Sequence, residues 1–333
     1  MHRIATLGAL ALLTACSGVG SRIGPPSIGG AMDDSASLAQ PAKKYAGTVF
    51  VSDLDNNAVW ICPANRNDIR AGYLPSSNQL QGVSDPSQIA VDAQGTVYVA
   101  NAQTDASGAG AIAIYPRGAT SPARTLTSGL NTTEGVAVDS AGTVYASNKY
   151  QASIVVFAKG KSEPQRRITK NLVGPDGLAV DNAANLYIAD SSANDVLKLS
   201  PKSNVPQSLH LKKLLRPYGV ALDSKGNLYV SNMLGAASTI GVYAPGSTAP
   251  KQQFVVPGPS FNSQSTIGEP AMLSVAQPGD VLIASAPLAL ALIGGVEWFG
   301  FQPAVVGFAA GQSHPLWSQY INTGYDAVFQ PRK

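Results

Sequence analysis

Four segments of this chain repeat one pattern at a nearly constant spacing, and no other feature of the sequence limits the possible folds as strongly. They read VDAQGTVYVAN, VDSAGTVYASN, VDNAANLYIAD and LDSKGNLYVSN, and they begin at residues 91, 138, 180 and 222. A fixed period in this range indicates a propeller, a solenoid or another array of stacked repeats. The fold must therefore be built from copies of one supersecondary unit.

Alternation of side chains within each copy distinguishes strands from helices. Val97 and Val99 point one way in a strand while Tyr98 points the other way, which is a period of two. The Asp-x-x-Gly or Asp-x-x-x-Asn stretch before them supplies a tight turn. A second motif, aromatic-x-x-Gly-x-x-x-Pro, starts at residues 115, 157, 243 and 308 and adds a third strand, a turn and a fourth strand. Four strands are the blade of a β-propeller.

Six such blades fit the chain. Blades 2 to 6 cover residues 85–127, 132–170, 174–213, 216–256 and 268–319. Blade 1 starts late, because GTVFVSD at 47–53 matches a second strand, and residues 320–329 can supply its missing first strand. The sequence thus predicts an all-β, six-bladed propeller over residues 45–333, with four-stranded blades and a ring closed by the C-terminal strand joining blade 1.

The first 16 residues are predicted to be a signal peptide that ends in a lipid-attachment site. An apolar run from Ile4 to Leu13 follows a basic start and is too short to span a bilayer as a helix. It leads into Leu-Thr-Ala-Cys, which resembles the lipobox of bacterial lipoproteins and implies acylation at Cys16. The alternative is an ordinary signal peptide with an unrelated cysteine. With Ser17 next, the resemblance favours an outer-membrane lipoprotein, in the periplasm or at the cell surface.

Composition and charge indicate the character of the segments outside the repeats. Residues 17–44, rich in Gly, Ser, Pro and Ala, are predicted to be a flexible tether. With Cys16 acylated, Cys62 has no partner, so we expect no disulfide and a buried Cys62. The net charge of +3 is too small to indicate a nucleic-acid partner. Basic residues cluster at 159–170 and 198–216, where we expect a solvated outer edge or, alternatively, a surface for an acidic partner or a membrane.

The segment PDGLAVDNAANLYIAD at residues 175–190 resembles the repeats of NHL-repeat proteins. It is also similar, more distantly, to the six-bladed gluconolactonase and regucalcin type of lactonase. The resemblance extends over nearly all of residues 47–329 and implies an NHL/TolB-like six-bladed propeller. It does not imply one function, because propellers host binding, scaffolding and several chemistries.

One ring of residues is the candidate site, at the start of each innermost strand, where these strands line the mouth of a central channel. We align Gln88, Glu134, Asp176 and Tyr218 at this place, with Met272 and Tyr325 completing the ring. The lactonase resemblance implies a divalent cation held here by a Glu, an Asn and an Asp. Asp176 matches the Pro-Asp-Gly motif of that family, whereas Glu134 stands where the family has its Asn.

Glu134 and Asp176 are therefore the predicted metal ligands, for Ca²⁺ or Mg²⁺, with Gln88 and Tyr218 orienting a substrate. Two alternatives stay open. The two carboxylates could share a proton, or they could be turn-associated acids that accept hydrogen bonds from backbone N–H groups.

Nucleophilic catalysis finds no support elsewhere in the sequence. It contains no Gly-x-Ser-x-Gly elbow, and both His210 and His314 are predicted to lie on the outer surface, away from the channel. Asn101 and Asp92, each with its equivalents in other blades, are predicted to hydrogen-bond turn backbone. Blade 6 carries an apolar insertion at 286–302, which we expect to pack as a hairpin on its own blade or, alternatively, to contact a partner.

Two functions remain. The first is a binding or scaffold module for a protein, a peptide or a glycan. It would be a monomer that needs no cofactor and touches the membrane only through its lipid anchor. The second is a metal-dependent lactonase-like hydrolase, in which the cation polarises an ester carbonyl and activates water.

Overall fold

The computed structural model describes residues 47–53, 57–63, 79–103, 108–234 and 237–256, and beyond them six strands between residues 273 and 331. The predicted signal peptide, Cys16 and the tether lie outside these residues. Within them the chain forms strands joined by turns, and it has no helix that is long and apolar enough to cross a membrane.

The strands follow one another in groups that correspond to the predicted blades. The first two are β1 (Gly47–Asp53) and β2 (Ala58–Pro63). Blade 2 comprises β3 (Pro86–Val91), β4 (Val97–Asn101), β5 (Ala111–Tyr115) and β6 (Arg124–Leu126). Blade 3 comprises β7 (Thr133–Val138), β8 (Val144–Asn148), β9 (Ser153–Phe157) and β10 (Arg166–Ile168).

The second half of the chain continues the same order. Blade 4 comprises β11 (Pro175–Val180), β12 (Leu186–Asp190), β13 (Asp195–Leu199) and β14 (Gln207–Ser208). Blade 5 comprises β15 (Pro217–Leu222), β16 (Leu228–Leu234), β17 (Ala237–Tyr243) and β18 (Gln252–Val256). The last strands are β19 (Leu273–Ala276), β20 (Asp280–Ala284), β21 (Ala289–Leu290), β22 (Ala304–Phe308), β23 (Pro315–Tyr320) and β24 (Gly324–Pro331).

Blades 2 to 5 are four-stranded antiparallel sheets whose strands pair in chain order, as the repeats predict. The first strands of these blades, β3, β7, β11 and β15, contact one another in turn and are therefore the innermost strands. Because neighbouring strands are antiparallel, all connections fall on two opposite faces. We call the face on which the inner strands begin the mouth face. It carries the loops from the second to the third strand and the loops from one blade to the next.

The C-terminal strand joins the sheet that the first two strands form. β24 pairs antiparallel with β1, with Gly47 opposite Pro331, and β1 pairs in turn with β2. The resulting order is β2-β1-β24, so β1 is paired on both edges.

The last sheet differs from the predicted four-stranded blade. It has five strands in the order β19-β20-β21-β22-β23, and the short β21 pairs parallel with β22. The repeat pattern does not predict β21 because this strand lies inside the apolar insertion at 286–302. The remainder of that insertion is outside the described residues.

The core lies between the faces of successive sheets. Val97 and Val99 of β4 pack in one cluster with Phe50 of β1. Tyr98, on the opposite face of β4, packs in another cluster with Phe157 of β9. The predicted period-two alternation is confirmed, and blade 2 supplies one face to each of two cores.

The repeated aspartates build the turns between first and second strands. Asp92 Oδ1 accepts hydrogen bonds from the N–H groups of Gln94 and Thr96, at 2.9 and 2.8 Å. Gly95 completes this turn with a φ of 85°, in the left-handed region that favours glycine. The same backbone bonds are accepted by Asp139, Asp181 and Asp223. The predicted structural role of this set is confirmed.

A second repeated set binds the loops that lead into the inner strands. Each residue of this set accepts a hydrogen bond from the backbone N–H that lies two residues before the inner strand of its own blade. The pairs are Asn101 with Ser84, Asn148 with Asn131, Asp190 with Val173, and Asn232 with Leu215. These bonds hold the mouth face together and confirm the structural role predicted for the set.

Candidate functional site

The register of the inner strands changes one position of the predicted ring. Pro86 of β3 lies opposite Asn101, just as Thr133 of β7 lies opposite Asn148. The second residues of the four inner strands are therefore Ser87, Glu134, Asp176 and Tyr218. Every inner strand has the same bulge, so the spacing from its second residue to its turn aspartate is the same in all four blades. Gln88 is the third residue of β3 and therefore lies one position beyond the ring. Ser87 takes the ring position expected for Gln88.

Gln88 links three blades through its side-chain amide. Its Oε1 accepts hydrogen bonds from the N–H groups of Val136 and Leu178, both at 3.0 Å, and its Nε2 donates to the Leu178 carbonyl at 2.9 Å. The bulges in β7 and β11 lie immediately before Val136 and Leu178, where the ladder between strands is interrupted. Gln88 is 3% exposed, and its amide is occupied in holding the inner strands together.

Close approach of β7 and β11 brings their second residues to the same place. Gly135 follows Glu134, and a Cβ on it would collide with the Asp176 carbonyl. The Ser147 hydroxyl accepts from the Gly135 N–H and donates to that same carbonyl, both at 2.7 Å. A glycine at 135 therefore permits the contact that sets Glu134 and Asp176 side by side at the mouth.

Asp176 is fully buried and is paired with a lysine that the sequence did not single out. Lys149 Nζ lies 2.7 Å from Asp176 Oδ1, and the lysine side chain is 17% exposed. The other carboxylate oxygen, Oδ2, accepts a hydrogen bond from the Ser191 N–H at 3.3 Å. Oδ1 has no hydrogen bond of good geometry, so the Lys149 ammonium is the group that compensates its charge.

Tyr218 supports the same lysine from the neighbouring blade. The Lys149 ammonium lies 4.7 Å from the centroid of the Tyr218 ring, which is a cation–π contact. Tyr218 is 6% exposed, so the contact is largely shielded from water. Blades 3, 4 and 5 thus all contribute side chains to a single charged cluster.

Glu134 is the fourth member of this cluster and keeps partial access to solvent. The Ser87 hydroxyl lies 2.6 Å from its backbone carbonyl and 3.1 Å from Oε2. Burial raises the pKa of the Glu134 carboxyl to about 7, and the Asp176 carboxylate adds to this effect while the Lys149 ammonium opposes it. Glu134 therefore exchanges a proton near neutral pH.

The ion pair holds its proton on the lysine. Burial acts to lower the pKa of Lys149, but the carboxylates of Asp176 and Glu134 outweigh it, so that the net shift is upward. Burial raises the pKa of Asp176 against the attraction of Lys149. The ammonium therefore stays charged through the neutral range. We call Glu134, Lys149, Asp176 and Tyr218 the mouth cluster.

A signal for Lys149 was present in the repeats. It directly follows Asn148, and the residues that follow the equivalent positions are Ala102, Ser191 and Met233. A position that differs between otherwise similar blades is the kind that carries function. The inner strands alone do not indicate Lys149, because it follows a second strand.

The predicted metal ligands fall in the mouth cluster, with an ammonium against one of them. In the part of the chain that the structure describes, no group of three or more His, Cys, Asp or Glu side chains is placed to hold a metal ion. The Lys149 ammonium lies beside Asp176, where the predicted ligand set would place the metal cation.

The other singled-out residues lie away from this cluster or outside the described residues. His210 is exposed in the loop after β14, with Nδ1 3.2 Å from the Ser208 hydroxyl oxygen. Cys62 lies in β2. Tyr325 is the second residue of β24, which contacts β3, so it keeps the ring position that the sequence predicts. His314 and Met272 are outside the described residues.

Comparison with solved structures supports a β-propeller fold. A chain of the crystal structure of a nidogen/laminin complex matches with a TM-score of 0.60 and 14% identity, over 86% of this chain and 98% of that one. Virginiamycin B lyase from Staphylococcus aureus matches with a TM-score of 0.46 and 12% identity, over 72% of this chain and 78% of that one. Neither a scan of protein-family models nor a search of curated proteins found a match. At these identities the likeness concerns the fold alone, and the chain is an all-β protein of propeller type.

Proposed function

We propose that this protein is a binding module, a closed six-bladed propeller that takes a protein, peptide or glycan ligand on its mouth face. The observation that carries the proposal is the mouth cluster. Repeated residues build the blades, whereas the residues that differ between blades converge on this one place. A buried ion pair contributes little to stability compared with apolar packing, so its location at the mouth favours a role in recognition.

The alternative, a metal-dependent lactonase-like hydrolase, agrees less well with the geometry. A divalent cation on Glu134 and Asp176 would stand next to the Lys149 ammonium, which is 2.7 Å from Asp176. Because the pKa of Lys149 is raised, the two positive charges would repel each other. The family's third ligand, an Asn, also has no counterpart here.

Chelation distinguishes the two functions. Thermal unfolding of the purified protein is measured as isolated, with EDTA, and with Ca²⁺ or Mg²⁺ restored, because a ligand of the native state raises stability by mass action. Three coincident curves are expected for the binding module. A midpoint that EDTA lowers, that the metal restores, and that Asp176→Ala makes insensitive would instead support the hydrolase.

We further propose that the protein is an exported lipoprotein of NHL type, anchored at Cys16. β1 begins on the face opposite the mouth, since it runs toward the mouth face and β24 ends beside its first residue. A tether over residues 17–44 would then leave from the far face and present the mouth away from the membrane. Cys16→Ser should release the protein from membranes; retention of the variant would contradict the anchor.

Site-specific photo-crosslinking in the producing cells tests the binding function. A photoreactive residue replaces Tyr150, which is 78% exposed beside Lys149 on the mouth face, and the matched control replaces Lys225 in an aspartate turn on the opposite face. A crosslinked species is expected from position 150 and not from position 225. Equal crosslinking from positions 150 and 225, or crosslinking from neither position, would contradict the proposal.

A further inference from the structure

Three large apolar side chains are exposed on the mouth face around the mouth cluster. Tyr150, Val173 and Leu215 have 78%, 59% and 38% of their surface exposed, and they are the exposed large hydrophobic residues of the described chain. Tyr150 follows Lys149 in the β8–β9 loop. Val173 and Leu215 lie in the loops that lead into β11 and β15.

Blade-to-blade comparison shows what these positions require. The N–H groups of Val173 and Leu215 donate to Asp190 Oδ2 and Asn232 Oδ1, at 2.8 and 3.4 Å. Polar residues make the same backbone bond at the preceding blades, namely Ser84 and Asn131. The position thus needs only a backbone N–H, and apolar side chains exposed at two adjacent blades are typical of a surface that a partner covers.

The same loops carry positive charge only. We define the basic rim as the four mouth-face loops 149–152, 169–174, 191–194 and 209–216. They contain no Asp or Glu, and their basic residues are Lys149, Lys170, Lys212, Lys213 and Arg216. The Lys212 N–H donates to the Thr248 carbonyl at 2.7 Å in the β17–β18 turn, so Lys212 lies at the outer edge of blade 5, where the sequence places it, whereas Arg216 directly precedes β15 on the mouth face.

A hydrogen bond joins two loops of the basic rim, and the other two loops are held by contacts with neighbouring strands and turns. Asn194 Oδ1 accepts a hydrogen bond from the Arg216 N–H at 2.8 Å, which joins two of the loops. The loop at 169–174 is tied to the outer edge of blade 4 by the Asn171 amide, which donates to the Pro206 carbonyl at 3.0 Å. Lys149 reaches across to Asp176 and Tyr218 beneath them.

We propose that the basic rim docks an acidic, apolar peptide segment of a partner protein beside the mouth cluster. The proposal rests on the proposed function and names the class of its ligand. Carboxylates of the segment meet Lys170, Lys213 and Arg216, since Lys149 is already paired with Asp176. Its apolar side chains cover Tyr150, Val173 and Leu215. Opposite charge supplies orientation and a faster encounter, while the apolar contacts supply affinity.

Other anionic partners fit the surface less well. A nucleic acid brings phosphates that would pair with lysine but little apolar surface to cover Val173 and Leu215. An anionic membrane offers both kinds of contact. However, β1 begins on the opposite face, and an anchor before it would hold that face nearer to the bilayer. A peptide segment is the partner that satisfies charge, apolar area and orientation together.

Fluorescence anisotropy with defined peptides tests the assignment on the full-length protein. The probe is a labelled 12-residue peptide that alternates Glu with Leu or Phe. The comparison peptides replace Glu by Lys, or Leu and Phe by Ser. Vesicles of phosphatidylglycerol and a single-stranded DNA oligomer are the other probes. Saturable binding is expected for the acidic, apolar peptide alone, and salt should weaken it.

Matched charge reversals locate the binding surface. Lys170→Glu with Lys213→Glu changes the basic rim, and Lys161→Glu with Lys225→Glu makes the same charge change in exposed turns of the opposite face. The first pair should weaken binding about tenfold, since two exposed charge contacts become repulsive, and the second pair less than about twofold. Val173→Ser with Leu215→Ser should weaken binding without changing its salt dependence.

The results that would contradict this partner class differ from those that would contradict the proposed binding function. Equal binding by both charge-reversed pairs, or binding of vesicles or DNA but not of the peptide, overturns this partner class. If crosslinking from Tyr150 still succeeds in that case, the binding function stands with another ligand. If crosslinking from Tyr150 fails as well, both proposals fall.

Discussion

At the scale of single residues, the mouth cluster is the place where this chain departs from its own repeat. Lys149 is coupled to a fully buried carboxylate and to an aromatic ring from two other blades. A near copy of this trio exists on the protein surface, where Lys198 lies 3.8 Å from Asp181 and 5.0 Å from the Tyr187 ring centroid. The two trios differ mainly in burial, which makes them a natural pair for comparison.

Lys149→Met should destabilise the protein by about 3 kcal/mol, because it leaves the buried Asp176 without a compensating charge. Lys198→Met is the matched control and should cost less than about 1 kcal/mol, since its partner remains solvated. Urea unfolding of both variants measures the difference. Equal losses would show that burial of Asp176 is not what Lys149 compensates.

Glu134 should give the protein a stability that falls as pH rises through the neutral range. Its pKa is about 7 in the folded chain and near its ordinary acidic value in the unfolded chain, so the folded state binds more protons between these two values. Stability therefore declines from mildly acidic pH to pH 7 and levels off above it. Glu134→Gln should flatten this profile and raise the unfolding midpoint at pH 8 relative to the unmodified protein.

The pH profile is measured as the thermal midpoint at several pH values between 5 and 8. Glu163→Gln, an exposed glutamate in a turn on the opposite face, serves as the control and should leave the slope unchanged. A slope that survives Glu134→Gln would mean that another group, such as Asp176, carries it.

At the scale of elements, the inner strands are held by side-chain bonds between blades as well as by apolar packing. Each of the four described inner strands is an edge of its sheet, so alternate N–H and carbonyl groups along it have no partner within that sheet. Gln88 satisfies three such groups in β7 and β11. One amide therefore couples blades 2, 3 and 4.

Gln88→Ala should destabilise the protein by about 3 kcal/mol, because it leaves buried N–H and carbonyl groups of Val136 and Leu178 unsatisfied. Hydrogen exchange of the Val136 and Leu178 amides should accelerate together, although the two residues belong to different blades. Gln94→Ala, in an exposed turn of the same blade, is the control and should change neither quantity. Normal exchange at both amides would show that Gln88 is not their partner.

At the scale of the whole molecule, the pairing of β1 with β24 joins the two ends of the described chain. An unpaired edge strand invites aggregation, and here both edges of β1 are occupied. The proposed closed ring of six blades depends on this pairing. It also depends on the last sheet, whose fifth strand comes from the insertion.

A chain that ends after residue 320 should lose cooperative unfolding and aggregate, because the edge of β1 that pairs with β24 is then exposed. Adding the peptide of residues 321–333 in trans should restore a single transition, since it can pair with β1 again. Circular dichroism during heating, combined with light scattering, follows both effects. A truncated chain that unfolds cooperatively without the peptide would contradict a closed ring.

The features that the sequence by itself determined are those that depend on local interactions. Alternation over Val97–Val99, the aspartate turns and the ring of Asn and Asp residues all depend on neighbours within about one blade, so they can be read from one repeat. Those predictions are confirmed, and so are the four-stranded sheets of blades 2 to 5. Lipid attachment at Cys16, the flexible tether and the metal site remain predictions.

Only the tertiary structure decided how the blades meet. Lys149 and Asp176 are 27 positions apart and Lys149 and Tyr218 are 69 apart, so no local pattern links them. The shared bulge placed Ser87 in the ring and turned Gln88 toward the backbone of two other strands, which depends on the close packing of inner strands. The physical reason is that the ion pair and the hydrogen bonds at the mouth join residues of different blades. A repeat specifies the strands and turns of its own blade, but it does not specify which side chains the neighbouring blades bring into contact with it.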